Sequence, residues 1–105
     1  MSDYAKRLRE RQVQFAASVP LLIQKAFELG YQVTLGDAYR DPRFPYGSKS
    51  SKHHRRLAID LNLFKDGVYL TETEDHTSLG EYWESIGGIW GGRFEDGNHY
   101  EWSDP

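Results

Sequence analysis

Asp60 lies in the middle of Leu57-Ala58-Ile59-Asp60-Leu61-Asn62-Leu63, a stretch whose alternate positions Leu57, Ile59, Leu61 and Leu63 are purely apolar. A carboxylate in such a segment is expensive to bury unless it is paired or bound to a metal. Candidate partners are His53 and His54 just upstream and His99 near the end of the chain. Two histidines and one carboxylate form a set associated with catalytic zinc, in which a fourth position stays open to water. Zinc in such a set lowers the pKa of water towards about 7 and polarises a carbonyl, which allows an amide to be hydrolysed without a protein nucleophile. Spacing leaves the choice between the paired histidines open. If residues 54–60 were one continuous strand, His54 would share a face with Asp60 and His53 would point away; if the chain is still a loop before Leu57, parity carries no information.

The elements that must position these groups are readable from periodicity. Phe15, Val19, Leu22, Ala26 and Leu29 recur at helical spacing, with Gly30 as the stop signal. Pro20 lacks a ladder donor, so this reading favours a helix kinked there or split in two, with Ser18 capping the second half. Tyr31, Val33 and Leu35 then alternate with polar positions as a strand with one buried face. Pro42, Pro45 and Gly47 make residues 41–52 a long loop. The Leu57–Leu63 strand ends at Asp66-Gly67, a turn signal that makes Val68-Tyr69-Leu70 its hairpin partner. Ser78 to Ile86 is a short amphipathic helix stopped by Gly87-Gly88, and Asn98 to Trp102 a last strand with His99 and Glu101 on the opposite side from Tyr100 and Trp102. The expected class is α+β, with a small, mainly antiparallel sheet packed by helices.

Composition bounds the function. With 105 residues, 38% apolar and 14% aromatic, the chain is expected to form one domain over 1–105 rather than two undersized cores. Absence of cysteine removes disulfides and thiolate metal sites. A formal charge of -3 has the wrong sign for a protein that coats itself with phosphate backbone, so nucleic acid is not an expected partner. No apolar stretch reaches the roughly 18 to 20 residues that span a bilayer, and the charged N-terminus has no following apolar region, so neither membrane insertion nor an export signal is expected. Six basic residues lie between Arg40 and Arg56, against ten acidic ones from Asp66 onward, so the two regions either attract each other or line one cleft.

The run Ser51-Lys52-His53-His54-Arg55-Arg56-Leu57-Ala58-Ile59-Asp60 resembles the Ser-x-His-x-x-Gly-x-Ala-x-Asp motif of the M15 metallopeptidases. These include D-alanyl-D-alanine carboxypeptidases, VanX-type and VanY-type peptidases and bacteriophage L-alanyl-D-glutamate endolysins. Asp96-Gly97-Asn98-His99, after Trp90-Gly91-Gly92, is similar to the C-terminal Asp-x-x-His element of the endolysin branch, and Tyr31 to Arg40 resembles the strand and arginine before its loop. The resemblance implies an M15, hedgehog-like peptidase fold and a zinc held by His53, Asp60 and His99. It implies Asp96 as catalytic base, and Arg40, with Ser51, as contacts to the substrate or its oxyanion. The implied protein is a monomeric zinc peptidase, made in the cytoplasm, that acts on peptidoglycan stem peptides of the cell wall, as a phage lysin does. Arg56 departs from the pattern, standing where the motif has Gly.

Each assignment has a competing structural reading. Asp60 could be paired with Arg40 or Arg55, His99 could be a satisfied core histidine, Asp96 could merely shape a turn, and Arg40 could serve the acidic C-terminal half. His76, in an acidic polar segment, reads as surface. Functional alternatives are a D-alanyl-D-alanine carboxypeptidase, a non-catalytic zinc or cell-wall binding module, and a His-metal nuclease, the last opposed by the acidic C-terminal half.

Overall fold

The computed structural model describes residues 2–43 and 51–105. One long helix, α1 (Asp3–Glu28), opens the chain, begun by the Ser2 hydroxyl accepting from the Ala5 N–H and ended at Gly30, whose φ of 92° a side chain would resist. Its stripe of Phe15, Leu22 and Ala26 is buried. Pro20 neither splits the helix nor starts a second one, and the Ser18 hydroxyl donates back to the Gln14 carbonyl instead of capping. Pro20 and Ala16, whose carbonyl loses its amide partner, both lie on the exposed side, where water can replace the missing donor while the buried stripe holds both halves in line.

Five strands follow: β1 (Gln32–Leu35), β2 (Ala58–Lys65), β3 (Val68–Leu70), β4 (Ile89–Trp90) and β5 (His99–Glu101). The sheet order is β1-β2-β5-β4, with β3 also on β2, and every pairing is antiparallel. Between β2 and β3 the turn uses Asp66 and Gly67, both at positive φ as a tight hairpin requires. A second helix, α2 (Thr77–Ser85), lies between β3 and β4. Leu57, just before β2, and Ile59, Leu61 and Leu63 within it join one core cluster with residues of α1 and α2; Trp83 packs edge-on against Phe15, Tyr100 and Trp102. Leu35, expected on the buried face of β1, is exposed, at the end of an edge strand. Among the described residues, no helix is long and apolar enough to cross a membrane.

The loop expected over 41–52 falls largely on residues 44–50, Lys49 among them, which lie outside the described residues. Its end is ordered: Lys52–Arg55 form a 3₁₀ turn capped by the Ser51 hydroxyl, which accepts from the His53 N–H. That turn closes at Arg56 in the left-handed region, φ 58° and ψ 38°, with the guanidinium 4.0 Å above the Tyr39 ring. A glycine motif position is therefore filled here by a side chain that tolerates the left-handed backbone at a conformational cost and recovers part of it by stacking.

His76 is not on the surface. It is 3% exposed, and its Nδ1 lies 2.7 Å from the Tyr100 hydroxyl. The acidic stretch around it forms a 3₁₀ turn (Thr73–His76) that turns its charges outward and its last ring inward against β5.

Two outcomes follow from these backbone and burial features. Arg56→Gly and Arg56→Ala both lose the Tyr39 contact, but only alanine keeps the left-handed strain, so urea denaturation should find the glycine variant more stable by about 1 kcal/mol. Burial lowers the His76 pKa from 6.5 to about 4. The unfolded chain therefore binds the proton first, and His76 contributes stability above pH 6.5 that is lost as pH falls through 4. In His76→Gln, denaturation midpoints measured across that window should vary less with pH than in the parent; an unchanged slope would remove His76 from the account.

Candidate metal centre

The register of the two central strands builds the site. Asp60 of β2 stands directly opposite His99 of β5, and Ile59 stands opposite Tyr100. Because side chains alternate, Ile59 and Tyr100 enter the core while Asp60 and His99 emerge together on the other face. His53 reaches them from the 3₁₀ turn. Its Nε2 is 3.2 Å from Asp60 Oδ1, and His99 Nδ1 is 3.3 Å from the same oxygen. The three ligand atoms all lie within 4.8 Å of one another.

This donor set fits a zinc ion. Two ligands each about 2.1 Å from zinc at a tetrahedral angle lie roughly 3.4 Å apart, close to the 3.2 and 3.3 Å found here. The remaining ring nitrogens are occupied in the manner that orients metal ligands. His99 Nε2 lies 2.9 Å from Glu101 Oε1, and His53 Nδ1 lies 3.4 Å from the Ala38 carbonyl oxygen. Carbonyl and carboxylate oxygens only accept, so both neutral rings would carry their proton on the outer nitrogen and turn a lone pair towards Asp60. Among the described residues this is the one such cluster, and it includes His53 rather than His54.

Charge is concentrated at the cluster. Burial opposes ionisation of Asp60, but hydrogen bonds from His53 and His99 outweigh it and lower its pKa to about 2. Burial likewise opposes the His99 cation, yet its bonds to Asp60 and Glu101 raise its pKa to about 9. Glu101 also pairs with Lys52, and Arg55 pairs with Asp104, so the basic segment before β2 and the acidic end of the chain do attract each other.

The backbone beside the cluster is equally constrained. Gly36 N–H donates to the Asp60 carbonyl and Asp60 N–H to the Asp37 carbonyl, each at 2.8 Å, which carries residues 37–40 alongside the site. A Cβ on Gly36 would come within 3.0 Å of the Asp60 Cβ. Arg40 N–H donates to the His53 carbonyl, and its guanidinium pairs with Asp37 at 3.2 Å. Asp96 sits in the turn before β5, its carbonyl accepting from the His99 N–H, while its carboxylate is 53% exposed and 3.9 Å from His99 Nδ1. Asp60 pairs with histidines and with neither Arg40 nor Arg55.

Sequence reasoning passed over Glu101 and Lys52 as parts of the site. The two-residue period of β5 already put Glu101 on the His99 side; Lys52 had no signal, since its reach depends on the 3₁₀ turn. Glu101→Ala should weaken zinc affinity about 10- to 100-fold while leaving the fold intact, measured by competition with a chromophoric chelator; unchanged affinity would reduce Glu101 to a surface ion-pair partner. A search of the curated proteins finds no match. Residues 46–102, more than half of the chain, match the peptidase M15 family model described as D-alanyl-D-alanine carboxypeptidase. That span runs through the whole His53-Asp60-His99 cluster and its Glu101 support, and the chain belongs to the M15 peptidase family.

Proposed function

We propose that this protein is a zinc-dependent peptidase that hydrolyses an amide bond of peptidoglycan stem peptides, with the L-alanyl-D-glutamate bond as its target. The observation that carries the reading is an exposed carboxylate, Asp96, set 3.9 Å from the inner nitrogen of His99 within a two-histidine, one-aspartate cluster. When bound, zinc would supply Lewis acidity, polarising the scissile carbonyl and making water acidic enough to lose a proton near neutrality. His53, Asp60 and His99 would hold the ion.

Asp96 combines a solvent-facing carboxylate with a position beside a ligand, which suits it to take the proton from the attacking water and return it to the leaving amine. Arg40, tied through its backbone to His53 and through its guanidinium to Asp37, would meet a substrate carboxylate or the developing oxyanion. The Ser51 hydroxyl accepts from the His53 N–H and so caps the turn that carries this ligand, which leaves its own proton for a substrate acceptor. The protein would act as a monomer on the cell wall, as a phage lysin does. A D-alanyl-D-alanine carboxypeptidase is the second reading, favoured by the description of the matched family.

Asp96→Asn tests the central assignment. Its kcat on a stem tetrapeptide should fall by a hundredfold or more, on the order of what general acid–base catalysis supplies, while zinc content by elemental mass spectrometry stays that of the parent. Undiminished hydrolysis would remove Asp96 as base. Mass spectrometry of the parent's digest of a stem pentapeptide ending in D-alanyl-D-alanine separates the readings: a new D-glutamyl amine supports the endopeptidase, released D-alanine the carboxypeptidase, and intact peptide with zinc bound a binding module.

A further inference from the structure

Asp96 also forms part of the lining of a second feature, a cavity of about 190 Å³ between the end of β3, the Thr73–His76 turn and the Glu95–Asn98 turn. That is smaller than the roughly 300–1,000 Å³ that holds a whole drug-sized ligand, and suits one side chain. Its lining includes three carboxylates, Glu72, Glu95 and Asp96, and no lysine or arginine. The walls are locked together: Gly97 N–H donates to Thr73 Oγ1 at 3.2 Å, and a Cβ on Gly97 would fall 2.6 Å from the Thr73 Cα.

His76 provides an independent indication of what enters. It lines the cavity although it is 3% exposed, and its Nδ1 is taken up by the Tyr100 hydroxyl at 2.7 Å. The Tyr100 hydroxyl is buried and Nδ1 is the one hydrogen-bond partner it has among the described residues; an O–H buried without an acceptor is costly, so the hydroxyl donates to Nδ1. The neutral imidazole then carries its own proton on Nε2, which has no partner among the described residues and is not among the fully buried polar atoms, so the ring that lines the cavity has this N–H left to offer there. A ligand must therefore present both a cation, for the carboxylates, and an acceptor, for Nε2–H. A bare metal ion offers no acceptor; an amino-acid residue with a charged amine offers both.

Building on the peptidase reading, we propose that this cavity is the subsite for a diamino-acid residue of the substrate, its side-chain ammonium paired with Glu72 and Glu95 and one of its carbonyls accepting from His76 Nε2–H. Asp96 fixes the polarity of the chain. It must reach the leaving nitrogen to return a proton, so the residues that continue past Asp96 into the cavity are those C-terminal to the cleaved bond.

The test compares a lysine-containing stem tetrapeptide with the same peptide acetylated at Nε, using zinc-loaded protein. Acetylation should raise KM about tenfold with little change in kcat, as loss of a charge-assisted pair predicts, and the double variant Glu72→Gln, Glu95→Gln should treat the two peptides alike. Equal KM values in the parent, or discrimination that persists in the double variant, overturn the subsite. A readout independent of hydrolysis is the amide NMR shift of Thr73 and Gly97 in zinc-loaded protein. Nα-acetyl-lysine amide should move both, and its Nε-acetylated analogue should not. That contrast without cleavage of either peptide supports the subsite and sinks the peptidase reading; shifts produced by calcium but not by the amine overturn the subsite.

Discussion

A carboxylate placed inside an apolar strand is the constraint around which this molecule is arranged. Asp60 lies in β2, the strand that pairs with β1, β3 and β5 at once, so its half-buried carboxylate cannot swing fully into water without disturbing the sheet. An ionised group there needs compensating charge or a metal. The fold brings two imidazoles to the same oxygen from two separate elements, His99 across the β2–β5 ladder and His53 from the turn before β2. Those rings are in turn held by Glu101, Lys52 and the Ala38 carbonyl. The site is thus a chain of compensations that begins with one buried charge.

The two faces of β2 divide the tasks. One face is filled by leucines and an isoleucine against α1, α2 and three tryptophans, and this supplies the stability. The other carries the charged cluster, and rigidity of the first is what allows the second to be held in place: Trp83 Nε1 donates to the Glu101 carbonyl, and Trp90 Nε1 donates to the Gly97 carbonyl. Core indoles thus hold the backbone on both sides of His99. A core that also anchors the backbone of the site is one physical route to the preorganisation that metal sites require.

Charge is distributed along the same axis. Lys52 and Arg55 neutralise Glu101 and Asp104 next to the cluster, whereas Glu72 and Glu95 have no such basic neighbours in the lining of their cavity. The segment before β2 and the end of the chain therefore do more than attract each other. Their pairing leaves the uncompensated acidity to one side of Asp96, which gives the site a direction.

Local pattern was enough for the central elements. The period-two run from Leu57 to Leu63, the Asp66-Gly67 turn and the short helix before Gly87 are decided by interactions among near neighbours, and the misplaced aspartate announces a site by its cost of burial alone. Spacing left His53 and His54 as rival ligands, and the resemblance to the M15 motif named His53, Asp60 and His99. What lay beyond the sequence depended on contacts between distant segments. Whether His53 or His54 faces Asp60 was decided by the 3₁₀ turn, in which strand parity does not apply. Pro20 stays inside one helix because the buried stripe on either side of it outweighs one missing hydrogen bond. His76 is buried because Tyr100, far along the chain, provides the partner that makes burial tolerable. Sequence determines which side chains carry a charge or a period; tertiary structure decides which of them meet, because desolvation and hydrogen bonding are settled only when remote segments close around them.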